Sequence, residues 1–165
     1  MKKNLVLILG WVLLILSGCG WSWNVVEYND NFVAVVKECT DSTQDLFNVY
    51  QTEGSTIDAI LESLNVSVDI CEESKTKASK LGDYDKDSSL KDAVVGLLST
   101  EIEYLKTFWS TSRYRNIADI TAEDKVAYDW VVWELYQMEE VLNSKFVELQ
   151  QVQESFAVKH GLKLE

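Results

Sequence analysis

Proline occurs nowhere in the 165 residues, and four long stretches carry apolar side chains at helical spacing. Without proline every backbone N–H stays available as a donor and nothing forces a kink, which favours long uninterrupted helices. Between Asn24 and Thr52, Val25, Phe32, Cys39 and Leu46 recur every seven residues, with Val36 and Tyr50 on the interleaved row. That is the pattern of a helix burying one face. Gly54 interrupts it, and Ser55 with Asp58 reads as the N-cap of a second helix running to about Leu81. The seam of this second helix is Ile57, Leu61, Leu64, Val68, Cys71 and Ala78.

A polar loop from Gly82 to Ser88 follows, and Ser89 with Asp92 caps a third helix. It carries Leu90, Val94, Leu97, Leu98, Ile102, Leu105, Phe108 and Trp109, and fades near Arg115-Asn116. Thr121 with Asp124 caps the fourth, which runs to about His160 with Tyr128, Leu135, Leu142, Leu149 and Phe156 spaced by seven and Val131, Met138 and Val152 interleaved. Gly161 stands where a helix C-cap glycine belongs. Four amphipathic helices with short connections predict an all-α, up-down-up-down four-helix bundle. The fourth helix, roughly 60 Å long against about 40 Å for the second and third, must project beyond its neighbours or bend.

The formal net charge is -12. A surface that acidic repels phosphate backbones, so nucleic acid is not an expected partner; a cationic protein partner is compatible with it. Catalysis finds little support. His160 is the only histidine and falls in the last helical turn, where it complements the helix C-terminus. There is no second histidine for a di-iron bundle site and no supported Ser-His or Cys-His pairing, so neither an enzyme nor a cofactor is expected. Asp83, Asp85 and Asp87 imitate positions 1, 3 and 5 of a calcium loop. Ser88 then stands where glycine is needed and Val94 where a bidentate Glu is needed, so the loop is a weak metal candidate and reads as solvated acids before the third helix.

The start of the chain carries a different kind of signal. Lys2 and Lys3 precede an apolar run from Leu5 to Leu16, and the run closes on Leu16-Ser17-Gly18-Cys19. A positive start, an apolar middle and small residues at the end are the marks of a secretory signal. Leu16-Ser17-Gly18-Cys19 resembles the lipobox of bacterial lipoproteins. The resemblance implies that residues 1–18 are removed and that Cys19 becomes an acylated N-terminus, anchoring the protein outside the cytoplasm through several acyl chains. Gly20, rather than an Asp, after the cysteine resembles export to the outer membrane in a Gram-negative cell. The mature chain then has 147 of the 165 residues, residues 19–23 as a short tether and 24–165 as the bundle domain, and it carries a net charge of -14 because the signal holds two lysines and no acids. Trp21 and Trp23 lie close enough to the bilayer to sit at headgroup level, or they pack on the end of the bundle.

A second resemblance runs through the mature part. Val26-Glu27-Tyr28-Asn29-Asp30, Asp87-Ser88-Ser89-Leu90-Lys91-Asp92 and the ending Phe156-Ala157-Val158-Lys159-His160-Gly161-Leu162-Lys163-Leu164 are similar to a group of small bacterial surface lipoproteins that are helical and have no assigned activity. In the topology above, Gly54 and Arg115 point away from the membrane, while the Asp83–Asp87 loop and the C-terminus return toward it. Trp109, Trp130, Trp133, Tyr128 and Tyr136 gather in the membrane-distal half, and Trp130, Trp133 and Val126 form a second apolar stripe beside the main seam. Aromatics at such spacing are ordinarily core; if exposed, they make a patch for a peptide, glycan or partner helix. Arg113 and Arg115 flank Tyr114 at the end of the third helix, where they complement the helix C-terminus or serve as a binding point for an anion or a partner.

With Cys19 committed to lipid, Cys39 and Cys71 remain. They lie at similar distances on either side of Gly54 and both fall on the apolar seam, so antiparallel helices bring them level and face to face. A disulfide is predicted, the alternative being two buried free thiols that fill core positions. The function expected from these features is that of a lipid-anchored, non-catalytic protein-interaction module. The alternatives are a purely structural envelope lipoprotein and a small-ligand or metal-binding bundle.

Overall fold

The computed structural model describes residues 23–112 and 122–162. Cys19, Trp21, Arg113, Tyr114, Arg115 and Thr121 lie outside the described residues, as does the side chain of Trp23. Four helices follow one another, α1 (Trp23–Gln51), α2 (Ile57–Lys80), α3 (Ser89–Ser112) and α4 (Ala122–Lys159). α1 packs on α2, α2 on α3 and α3 on α4, with α1 and α3 meeting across the centre. This is the all-α, up-down-up-down bundle that the apolar seams require.

The α1 seam is buried as its spacing demands, with Val25, Phe32, Val36, Cys39 and Leu46 inside. On α3, Leu90, Val94, Leu97, Leu98, Ile102, Leu105 and Phe108 are buried. α2 departs from the expected stripe. Its buried residues are Ile60, Leu64, Ser67, Cys71, Ser74 and Ala78, whereas Ile57 is 44 % exposed and Leu61 and Val68 are half-buried. The reason is the close approach of α1 and α2, whose Cys39 and Cys71 Cα atoms are 4.5 Å apart. Serine and alanine fit along that line of approach; leucine would hold the helices apart. The α2 cap also sits one residue later than expected, since the Thr56 hydroxyl, not Ser55, accepts from the Ala59 N–H at 3.2 Å.

No described Cα of α1 comes within 8 Å of one in α4, and aromatic side chains span the wider gap. The Tyr28 ring lies 4.8 Å from Phe32, 5.2 Å from Tyr84 and 5.7 Å from Phe156, and its hydroxyl donates to the Gly82 carbonyl at 2.9 Å. Burial, reinforced by the Asp83 carboxylate, pushes the Tyr28 phenol up to about 12. At the C-terminus Gly161 takes φ 73, and the Leu162 N–H reaches back to the Ala157 carbonyl at 2.8 Å. With Leu162 buried, this is a Schellman ending, the C-cap expected of Gly161.

The Asp83–Asp87 loop is a tight turn. Tyr84 and Asp87 exchange backbone hydrogen bonds of 3.1 and 2.8 Å, and Asp85 and Lys86 between them have φ 49 and 64, as a two-residue type I′ turn requires. Asp83 pairs with Lys91. Asp87 accepts from the Ser89 N–H at 3.0 Å, from Lys159 at 2.7 Å, and faces His160 Nε2 at 3.4 Å. The three carboxylates therefore serve as turn former, cap and ion-pair partners, and among the described residues they do not converge as a ligand set.

Asp87 ties the start of α3 to the end of α4. The Lys159 ammonium and then the Ser89 donors hold its carboxyl well below the usual range. Asp87→Ala is expected to cost about 1–2 kcal/mol at neutral pH, the worth of a cap with a charge-assisted bond. A lowered folded pKa means that this contribution is complete above the ordinary carboxylate range and is lost as pH falls through the lowered value. Urea unfolding of both proteins at neutral and at strongly acid pH should show the gap closing in acid.

Candidate functional site

Two places in the fold carry chemistry that a plain bundle core does not need. The first is a buried cluster where α1, α2 and α3 meet. Cys39 and Cys71 form the expected disulfide, closing a separation of 32 residues, and both are fully buried. Beside it lies Glu101 of α3, only 2 % exposed; the two sulfurs and a Glu101 carboxyl oxygen fall within 4.8 Å of one another. Three such groups resemble a metal-ligand set, but ligation needs thiolates and these sulfurs are bonded to each other.

The Thr43 hydroxyl sits between the backbone and the carboxyl, 3.0 Å from the Cys39 carbonyl and 2.8 Å from Glu101 Oε1. One hydroxyl hydrogen satisfies one acceptor, so both short contacts are met when Glu101 is protonated: its O–H donates to Thr43, which donates to Cys39. Glu101 Oε2 has no partner among the described residues. Burial pushes the Glu101 carboxyl up to about 7, against the opposing pull of the Thr43 hydroxyl. One turn on, burial and then the Glu139 carboxylate raise the Tyr104 phenol, whose hydroxyl is also without a partner among the described residues. The cluster is thus a polar seam within the buried core.

The second place is the outer face of α4. The Gln153 side chain donates to Asn29 Oδ1 at 2.8 Å, which aligns α4 with α1. At about 1.5 Å rise per residue the end of α1, Gln51, lies level with about Val131. The first turns of α4 therefore run past the described end of α1, as its length of 38 residues requires. Trp130, Trp133 and Tyr136 are 61, 57 and 56 % exposed, and Val126 is more exposed still. The two indole rings lie 6.4 Å apart. Deeper in the bundle the same helix buries Leu142, Leu149 and Phe156.

Of the residues expected at a partner surface, Trp130 and Trp133 come together on the exposed face. Trp109 is half-buried against the core. Arg113, Tyr114 and Arg115 lie outside the described residues. The expectations for Cys39 and Cys71 meet in one bond. Glu101 and Thr43 were not expected from the sequence. The signal for Glu101 was present, since Val94, Leu98, Glu101, Leu105 and Phe108 follow one 4-3-4-3 row and an acid on such a row is a core acid. Comparison with family models, with curated proteins and with solved structures finds no match to this chain.

Proposed function

We propose that this protein is a non-catalytic interaction module of the bacterial envelope, held at the membrane by lipid on Cys19 and meeting a protein partner through the α4 face around Trp130 and Trp133. The reading is carried by one observation: Trp130 and Trp133, each more than half exposed, lie with their rings 6.4 Å apart on the outer face of α4, and Tyr136 on the same helix is more than half exposed as well. Trp and Tyr are the side chains that dominate binding energy at protein interfaces, and an apolar cluster on an otherwise acidic surface costs solubility unless something covers it. The anchor rests on the Leu16-Ser17-Gly18-Cys19 pattern. Among the described residues no helix is long and apolar enough to cross a membrane.

The test is recovery of the tagged protein from detergent-solubilised envelope. Wild type is expected to bring down a stoichiometric partner, and Trp130→Ala/Trp133→Ala to lose it by at least about tenfold, as removal of two interface anchors implies. Intact mass of the same material should show loss of residues 1–18 and added lipid. A partner retained by the double variant would remove α4 from the reading; an unprocessed, unlipidated chain would remove the anchor.

A further inference from the structure

α1 and α2 leave a valley between them on the outer surface, with a volume of about 510 Å³. Short side chains, Ser42, Ala59, Ser63 and Ser67, line it, and of these Ser42 and Ser67 are buried and form its floor. Ser67 Oγ donates to the Ser42 carbonyl at 2.8 Å, and Ser42 Oγ donates to Ser67 Oγ at 3.1 Å. The buried hydroxyls satisfy each other and leave a floor that makes no polar demand on an occupant. Val49, Val66 and Ile70 supply apolar wall, and Val66 is half exposed although its helix has a buried face available.

Charge defines what fits. Glu38, Asp41, Asp45 and Glu62 line the valley, and no lysine or arginine does. Glu38 is engaged by Lys77 and Asp41 by Lys37. Asp45 and Glu62 form no ion pair among the described residues. A second copy of this chain, with net charge -12, meets this wall with like charge, and so do anionic headgroups and nucleic acid.

We infer that the α1–α2 valley seats a cationic amphipathic helix of a protein partner. Short floor residues let a third helix approach closely, as small side chains at a contact do. Its lysines or arginines lay their aliphatic stems along Val66 and Ile70 and carry their charges to Asp45 and Glu62. From Glu38 to Val49 the valley runs about 17 Å, the length of three helical turns. This surface lies on α1 and α2, so it stands or falls separately from the α4 face.

The probe is a synthetic helix of about three turns, with one leucine-alanine face flanked by lysines, and its glutamate counterpart, titrated against the Cys19-less protein by fluorescence anisotropy. The lysine peptide is expected to bind and the glutamate peptide not to. Asp45→Lys/Glu62→Lys should weaken binding about tenfold or more, while Glu103→Lys/Glu140→Lys, an equal charge change on exposed positions of α3 and α4, should change it less than about twofold. Ser63→Leu fills the valley at constant charge and should also abolish binding. Circular dichroism and melting establish that each variant is folded. Equal losses from the two charge pairs, undiminished binding to Ser63→Leu, or loss on Trp130→Ala/Trp133→Ala would each overturn the inference, the last by moving the peptide to α4.

Discussion

Replacing Glu101 with glutamine is expected to make the protein more stable than wild type at about pH 8, by up to about 3 kcal/mol, and to leave the two nearly equal at about pH 4. The Glu101 carboxyl is raised from 4.5 to about 7 by burial. A raised acid binds more protons folded than unfolded, so its effect on stability is absent below the unfolded value. Stability is then lost progressively as pH climbs between the two values, and the full penalty applies above the folded one. Groups facing Glu101 give the charge too little relief to offset burial. Thr43 offers a single hydroxyl, the cystine carries no charge, and Tyr104 is an uncharged phenol whose own value is raised by burial.

Glutamine suits the site because its amide donates to Thr43, which donates to the Cys39 carbonyl, the same chain of bonds as the protonated acid. Urea unfolding of the oxidised proteins across this pH range gives the difference curve directly. A difference that stays flat with pH would show that the carboxyl does not titrate between its unfolded and raised values.

The second large effect belongs to the bond beside it. Cys39→Ala/Cys71→Ala is expected to cost about 3–4 kcal/mol by the chain-entropy estimate for a separation of 32 residues. In a domain of this size the melting temperature should fall by roughly 10 °C. Thiol labelling of denatured, unreduced Cys19-less protein should find no free thiol, and two reactive thiols would end the claim. Because a Glu101 carboxyl oxygen lies within 4.8 Å of both sulfurs, the two sets of substitutions are expected to be non-additive when combined.

The helix count, the antiparallel order, the α1 and α3 seams, the Gly161 ending and the level of Cys39 with Cys71 were all legible in the residue pattern. Each is a local consequence of spacing: heptad recurrence gives the buried face, and glycine supplies the positive φ that ends a helix. The α2 stripe held at Leu64, Cys71 and Ala78 but not at Ile57, Leu61 and Val68, because spacing alone does not say how near two helix axes come. Only the packed pair shows that Ser67 and Ser74 share the buried row with Ile60, Leu64, Cys71 and Ala78, and that Leu61 and Val68 are only half-buried. In the same way, the pattern on α4 left Trp130 and Trp133 as either core or surface. The answer came from which side of α4 the packed bundle covers: Leu142, Leu149 and Phe156 are buried, while Trp130 and Trp133 are left exposed. Glu101 shows the division most plainly. Its place on the apolar row was written in the chain, but its raised proton affinity arises from burial, which outweighs the opposing pull of the Thr43 hydroxyl. Electrostatics of that kind depend on distance and solvent access through space, which a linear order of residues does not contain.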